Sequence, residues 1–483
     1  MPTKPSLLQA CSLALSLVLL LPGQATVAQI NLPVLGDEVS GTISTQEEYE
    51  FGREFLRTVR KQTPALNDPL VAEYISSVTY RLAVNSELTD HRLDFVLIDS
   101  KELNAFAAPG GVVGVNAGLF LYAENEGQFA SVLAHELAHL SQRHYARSVQ
   151  DSRNNTLPTI AGLLASIAIA ATVGGDAGQA ALMANQAHSI DNQLRFSRSH
   201  EQEADRVGIR TLYNAGFDPQ DMVGMFESME RSHNISDKLP EFMSTHPLDA
   251  SRIIDSRNRA NSMPKVTYIQ NPEFLLMRER VRIHYAKNAD AEILERKRAL
   301  PQLNGAAADA ANYGIALAQV KTGQYIAATE TLSPLLAKEP NRISYVILNA
   351  EIAMAANDYT RAGNILEAGL KFSPGNHPLT MAYATALTKS KRYKEAATVL
   401  EQHALDVPND PQVWSDLAEV EGLAGNIKKV HQARAEYFIT IGDFVHAKEH
   451  LNYAMQDETD KLVLARLRQR LDYIRNIEKK YYR

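Results

Sequence analysis

The sequence predicts an α+β domain followed by an all-α solenoid. Three observations carry that expectation. Residues 128–144, QFASVLAHELAHLSQRH, are apolar or Ala at nearly every position from 129 to 140, the pattern of a helix buried on all sides, yet they include His135, Glu136 and His139. Short alternating runs such as residues 93–98, LDFVLI, read as strands. Beyond residue 308, small residues, an aromatic and a proline return every 34 residues.

A chain of 483 residues has room for several domains and a sizeable core. A net charge of −7 gives no basic footprint and argues against nucleic-acid binding. Residues 1–28 read as a secretory signal peptide: Lys4 supplies the positive start, residues 7–21 the apolar stretch, and Thr26-Val27-Ala28 a small-residue cleavage site near Ala28. The apolar run is short for the alternative, a membrane anchor. Cys11 is the one cysteine and would leave with the signal, so the mature chain has no disulfide, thiol nucleophile or Cys ligand. The expected location is a bacterial periplasm.

Residues 29–44 carry Pro, Gly and Ser without periodicity and read as an extended arm. Apolar residues recur at helical spacing over 45–60 and 68–85. Residues 93–98, 104–107 and 112–115 follow as strands, the last two joined at Pro109-Gly110-Gly111, and residues 117–122 as a helix. An edge strand there could bind an extended peptide through its main chain. The Ala- and Gly-rich stretch 157–187 reads as a mobile lid hinged at Gly174-Gly175, or as a peripheral membrane contact.

His135-Glu136-Leu137-Ala138-His139 places two imidazoles at i and i+4, on one helical face, where both can grip one ion. Glu136, about 100° further round, reaches toward the same ion. Neutral imidazole suits Zn²⁺, whose bound water has a pKa of ~7 and can lose a proton to a neighbouring carboxylate. A third ligand must come from elsewhere. In residues 198–208, RSHEQEADRVG, Glu201 and Asp205 share a helical face, so Glu201 can bind zinc while Asp205 orients a ligand histidine. Glu203 points about 200° away and is the weaker candidate. Thr245-His246-Pro247 sits in a loop after Pro240, where His246 could reach the metal, stabilise an oxyanion or cap a turn. His144, His188, His200 and His233 lack motif spacing and read as surface or structural residues.

The combination of NAFAxPGG, HExxH, a downstream ExxAD and a His-Pro loop resembles the zinc endopeptidases that include HtpX and the CaaX prenyl endopeptidases, over roughly residues 45–260. That resemblance implies a zincin-like metallopeptidase domain with one Zn²⁺ bound by His135, His139 and Glu201. It makes Glu136 the general base, Asp205 a proton donor or a partner behind a ligand, and His246 a residue that holds the free enzyme latent or supports the transition state. The chain departs from the membrane-embedded members in lacking clear spans.

The repeats bring Tyr325, Tyr359 and Tyr393 into step, with Ile427 next, and likewise Pro340, Pro374 and Pro408. Ala316, Ala350, Ala384 and Ala418 keep the same interval, as do Ala328, Ala362 and Ala396. This is the tetratricopeptide signature, helix pairs that bury their apolar faces by stacking. The expected organisation is a metallopeptidase domain over 29–264, a helical connector over 265–308 and repeats over 309–483. Repeats start near 309, 343, 377 and 411; the register breaks at Gly442-Asp443-Phe444, and a final helix near 458–480 acts as a cap. Trp414 reads as core. The whole arrangement is similar to that of periplasmic proteases in quality control of outer-membrane β-barrel proteins, which implies such proteins as substrates and the barrel-assembly machinery as partner. One rival reading is a repeat scaffold or chaperone with a structural or silenced metal site. The other is a membrane-anchored hydrolase of lipid or prenyl substrates.

Overall fold

The structure is a computed structural model that describes residues 43–152, 198–236, 240–268 and 271–481. The signal peptide, the arm as far as residue 42 and the 157–187 stretch lie outside the described residues.

Helix α1 (Thr45–Gln62) starts at a capping box, in which Ser44 and Glu47 each bond the other's backbone N–H. Helix α2 (Pro69–Ala83) starts at Asp68, whose carboxylate accepts from Leu70 and Val71, with Pro69 fixing the first turn. Strands β1 (Asp94–Ile98), β2 (Ala105–Ala108) and β3 (Val112–Asn116) form a sheet in the order β1-β3-β2. β1 runs parallel to β3 and β2 antiparallel to it, which leaves β2 at an edge among the described residues.

The expected helix at 117–122 begins later, as α3 (Leu119–Tyr122), because Ala117 and Gly118 donate instead to the Ile98 and Ser100 carbonyls. Helix α4 (Glu126–Ser141) is capped by Asn125 and carries the HExxH. Residues 128–144 do not form one helix. Arg143 takes a left-handed φ of 49° and ties its guanidinium to the Ile43 carbonyl and Glu48, and the chain turns into α5 (His144–Ser152).

Then come α6 (Arg198–Asn214), α7 (Gln220–Ser236), the single turn α8 (Glu241–Thr245) and α9 (Ala250–Ser262). The connector folds as α10 (Pro272–Tyr285) and α11 (Ala289–Ala299). Tyr74, Phe120, Phe129 and Phe274 pack with ring centroids 4.5–6.3 Å apart, so α2, α3, α4 and α10 share one aromatic nest.

The solenoid pairs α12 (Gly305–Lys321) with α13 (Tyr325–Lys338), α14 (Ile343–Ala355) with α15 (Tyr359–Phe372), α16 (His377–Lys389) with α17 (Tyr393–Asp406), and α18 (Pro411–Leu423) with α19 (Ile427–Thr440). The alanines kept by the 34-residue interval are all buried where these helices cross. The expected break at Gly442 is corrected: α20 (Phe444–Met455) and α21 (Lys461–Tyr481) make a further pair in step with the others. Gly442 stands one interval after Pro408, and its φ of 75° makes the turn there. Asn357-Asp358-Tyr359 within a repeat and Gly442-Asp443-Phe444 between repeats have the same form, a positive-φ residue followed by Asp and an aromatic, so turn chemistry alone misplaced the register. Among the described residues no helix is long and apolar enough to cross a membrane.

α1 lies directly on the turn between β2 and β3, since a Cβ on Gly52 would collide with the Pro109 carbonyl oxygen. Gly52→Ala should therefore lower stability by about 1–3 kcal/mol, the cost of overpacking a tight contact, read from urea denaturation; unchanged stability would mean that α1 does not pack there.

Candidate metal centre

Small side chains let α4 and α6 approach closely. Ala138, Ala204 and Val207 pack together, and a Cβ on Gly208 would stand 3.2 Å from the His135 backbone nitrogen. The approach delivers Glu201 to the two histidines of α4, while α8 delivers His246 from its C-terminal end. The candidate ligand atoms of His135, His139, Glu201 and His246 all lie within 4.8 Å of one another, and all four residues are buried.

The spacing fits a metal ion. His139 Nε2 is 3.0 Å from His135 Nε2, which is 3.3 Å from His246 Nδ1. Glu201 Oε1 is 3.0 Å from His246 Nδ1 and 3.5 Å from His139 Nε2, and its Oε2 is 3.4 Å from His135 Nε2. An ion held tetrahedrally at ~2.0–2.1 Å sets its ligands ~3.3–3.4 Å apart. Glu136 stands beside this group. Its Oε2 accepts the Ala107 N–H at 2.9 Å, and its Oε1, buried and accepting no hydrogen bond, is 3.4 Å from His246 Nε2. β2 therefore fixes the acid of the HExxH through its main chain.

Asp205 lies behind His135: its Oδ1 is 3.0 Å from His135 Nδ1, close but out of line for a straight hydrogen bond. Arg252, 2% exposed on α9, clamps Asp205 with two bonds of 2.7 Å. The same guanidinium is 2.9 Å from Glu201 Oε2 and donates to the Pro247 carbonyl at 2.7 Å, so it joins the acidic helix to the His-Pro loop. Burial draws the His135 pKa down, but Asp205 and Glu201 outweigh it and lift it to about 9. Burial raises the Glu201 carboxyl, and His246, His135 and His139 more than reverse this, leaving it well below the usual range. Burial, with Glu201 nearby, pushes Glu136 up against the pull of His246 and His135, and burial, with His135 and His246 nearby, pushes His139 well down against the pull of Glu201.

The structure brings together all six residues expected at the site. Of the histidines read as surface or structural, His144 and His200 are structural: both are buried beside the centre. His144 Nδ1 is 2.9 Å from His139 Nδ1, its ring stacks on His200 at 4.5 Å, and its Nε2 is 3.2 Å from Glu203, which Arg147 also holds. Burial, with His200 beside it, lowers the His144 pKa to about 4, which keeps it neutral at pH 7. With a metal on His139 Nε2, the His139 Nδ1–H donates to His144 Nδ1, and His144 Nε2–H donates to Glu203. His233 on α7 is outside the cluster, and His188 is outside the described residues. Sequence reasoning also missed Arg252, which stands in the first turn of α9 and carries no motif spacing of its own.

An HExxH helix beside a small sheet, with a glutamate from a second helix completing the cluster, defines a metallopeptidase. The chain matches peptidase family M48 over residues 69–260 and the tetratricopeptide repeat over residues 353–420. It is 34% identical, over 93% of its length and 92% of the relative's, to the beta-barrel assembly-enhancing protease of Escherichia coli K12. The protein of that name from Yersinia pestis is 31% identical over 94% of this chain and 93% of its own. A mitochondrial metalloendopeptidase of Schizosaccharomyces pombe is 32% identical over 37% of this chain and half of its own. The chain belongs to peptidase family M48 and carries tetratricopeptide repeats after the peptidase.

Loss of a group that orients a metal ligand typically weakens metal binding ~10–100-fold. Asp205→Asn and His144→Phe should each show such a loss in chelator competition, and His144→Asn, which keeps an acceptor near His139, should recover part of it. Wild-type affinity in both disruptive variants would separate these side chains from the metal.

Proposed function

We propose that this chain is a zinc-dependent endopeptidase of the periplasm, exported with cleavage near Ala28, that degrades outer-membrane β-barrel proteins stalled in assembly and assists the assembly of others. The observation that carries the reading is the convergence of His135, His139, Glu201 and Glu136 in a chain similar, nearly end to end, to proteases named for β-barrel assembly. The repeats would dock the barrel-assembly machinery and its clients.

Imidazole nitrogens with one carboxylate oxygen are donors that suit Zn²⁺. Bound there, Zn²⁺ would lower the pKa of a water to ~7 and polarise the scissile carbonyl. Glu136, with Oε2 fixed by Ala107 and Oε1 accepting no hydrogen bond, is placed to accept a proton from an attacking water and to return it to the leaving amine. Asp205, neutralised by Arg252 and set behind His135, orients that ligand and does not meet the substrate. His246 lies against both Glu201 and His135, in the corner of the ligand set that a water or carbonyl needs. On this reading His246 would hold the free enzyme latent and would move aside for hydrolysis. An extended substrate would add to the edge of β2, next to Glu136.

Glu136→Gln should cut hydrolysis of unfolded casein by ~10²–10⁴-fold while zinc content stays near one per chain, and Glu201→Ala should lose zinc. A Glu136→Gln protein as active as wild type would end the reading. His246→Ala should keep zinc and cleave casein faster; a slower variant would instead make His246 a transition-state group. In a Gram-negative host lacking its own relative, wild type but not Glu136→Gln should clear a stalled β-barrel protein.

A further inference from the structure

A cavity of ≈ 620 Å³ lies between α1 and the end of the solenoid, away from the metal ligands. Five arginines line it: Arg53, Arg57 and Arg60 from α1, and Arg466 and Arg470 from α21. Arg53 pairs with Asp94, Arg57 with Glu54 at 3.0 Å and Arg470 with Glu436 at 2.8 Å. Arg60 and Arg466 have no carboxylate partner among the described residues, and Arg60 reaches only the Thr440 carbonyl, at 3.4 Å. Burial holds the Arg60 pKa below its ordinary value, a sign that water solvates this cation poorly. Asp94 and Asp410 act on Arg60 through space without forming a salt bridge, so an incoming anion in contact with its guanidinium would offset more of the cost of its burial.

The remaining walls mix aromatic rings with aliphatic and polar side chains such as Leu56, Ile439 and Asn409. Tyr49, Trp414 and Tyr473 line the same space; the Tyr49 ring lies under Arg53, and the Tyr473 hydroxyl accepts from Arg57 at 3.0 Å. A lone phosphate would use the guanidinium groups and leave the rings idle. A polypeptide with carboxylates and aromatic side chains uses both, and the volume suits a short segment of one. Arg53 also donates to the Gly110 carbonyl at 2.8 Å, which joins the cavity wall to the turn that follows β2. A chain anchored here therefore starts beside the strand whose Ala107 holds Glu136.

We propose that this cavity docks an acidic, aromatic-bearing segment of polypeptide through Arg60 and Arg466. The choice of a polypeptide rests on the peptidase reading, but the test reads binding and not hydrolysis, so the two can fail separately. The mature full-length chain carrying Glu136→Gln is titrated into a fluorescein-labelled peptide rich in Asp, Glu and Phe, and into the same peptide with Asn and Gln for the acids. The acidic peptide should bind at least about tenfold tighter, and the preference should shrink as salt rises. Arg60→Gln with Arg466→Gln should remove the preference. Arg466→Glu, at an exposed position that leaves folding intact, should weaken acidic-peptide binding by itself. Equal binding of both peptides, or unchanged affinity in the Arg466→Glu protein, overturns the proposal. So does binding of phosphatidylglycerol vesicles through Arg60 and Arg466 where the peptide does not bind, which would assign the cavity to a lipid headgroup.

Discussion

Charge balance in a space without water is the constraint the rest of the structure serves. Glu136, Glu201 and Asp205 are each about 2% exposed or less, and among the described residues the one guanidinium beside them is that of Arg252. With all three acids ionised, two negative charges are left over, and buried charge is tolerated only when paired. A divalent cation held by this cluster would close that account and would let the neighbouring histidines stay neutral. The His135 pKa of about 9 shows the same demand from the other side: a proton is drawn to the place where positive charge belongs. The small residues where α4 meets α6 follow from this. With a larger side chain at Gly208, Glu201 would stand back from the imidazoles and the acids would have nothing to hold.

Much of this was legible because it is local. The i, i+4 spacing of His135 with His139 and of Glu201 with Asp205 is set by helical geometry, and both pairs lie on helices whose existence the sequence announces. The 34-residue interval is equally local, since each repeat is defined by contacts with its neighbours. What escaped depends on the path of the chain between elements. His144 reads as the end of the HExxH helix, and only the left-handed turn at Arg143 folds it back onto His139. Arg252 reads as one polar residue in ASRIIDSR, and only the packing of α9 against α6 makes it the counter-ion of two acids. The last helix pair escaped for a different reason. Its turn was read by type, when helix length and interval held the register.

The sequence divides more sharply than the core does. The limits at 264 and 308 mark where one pattern stops and another starts. The apolar interior runs without a break from Leu70 and Phe129, through Phe274 on the connector, to Tyr313, Tyr345 and Leu379 in the repeats. Polar contacts cross the same ground: Arg280 on α10 binds Asp68 and Glu351, and Asn376 of the third repeat donates to Glu73 on α2. Cutting the chain at either limit would open this interior to water on both sides, so the first repeats are part of what keeps the peptidase folded.

α1 carries that argument to the site itself. Through Gly52 it lies on the turn after β2, and so against the strand that fixes Glu136. Through Glu48 it holds Arg143, the residue that turns His144 back beneath His139. On its other side Arg57 meets Tyr473 and Glu50 meets Lys480, both on the last helix of the solenoid. A single helix thus touches the support of Glu136, the support of His139 and the far end of the repeats. The last repeat, the Pro109 turn and the Arg143 anchor therefore share one helix as their support, and the turn and the anchor are the two points from which Glu136 and His139 are held.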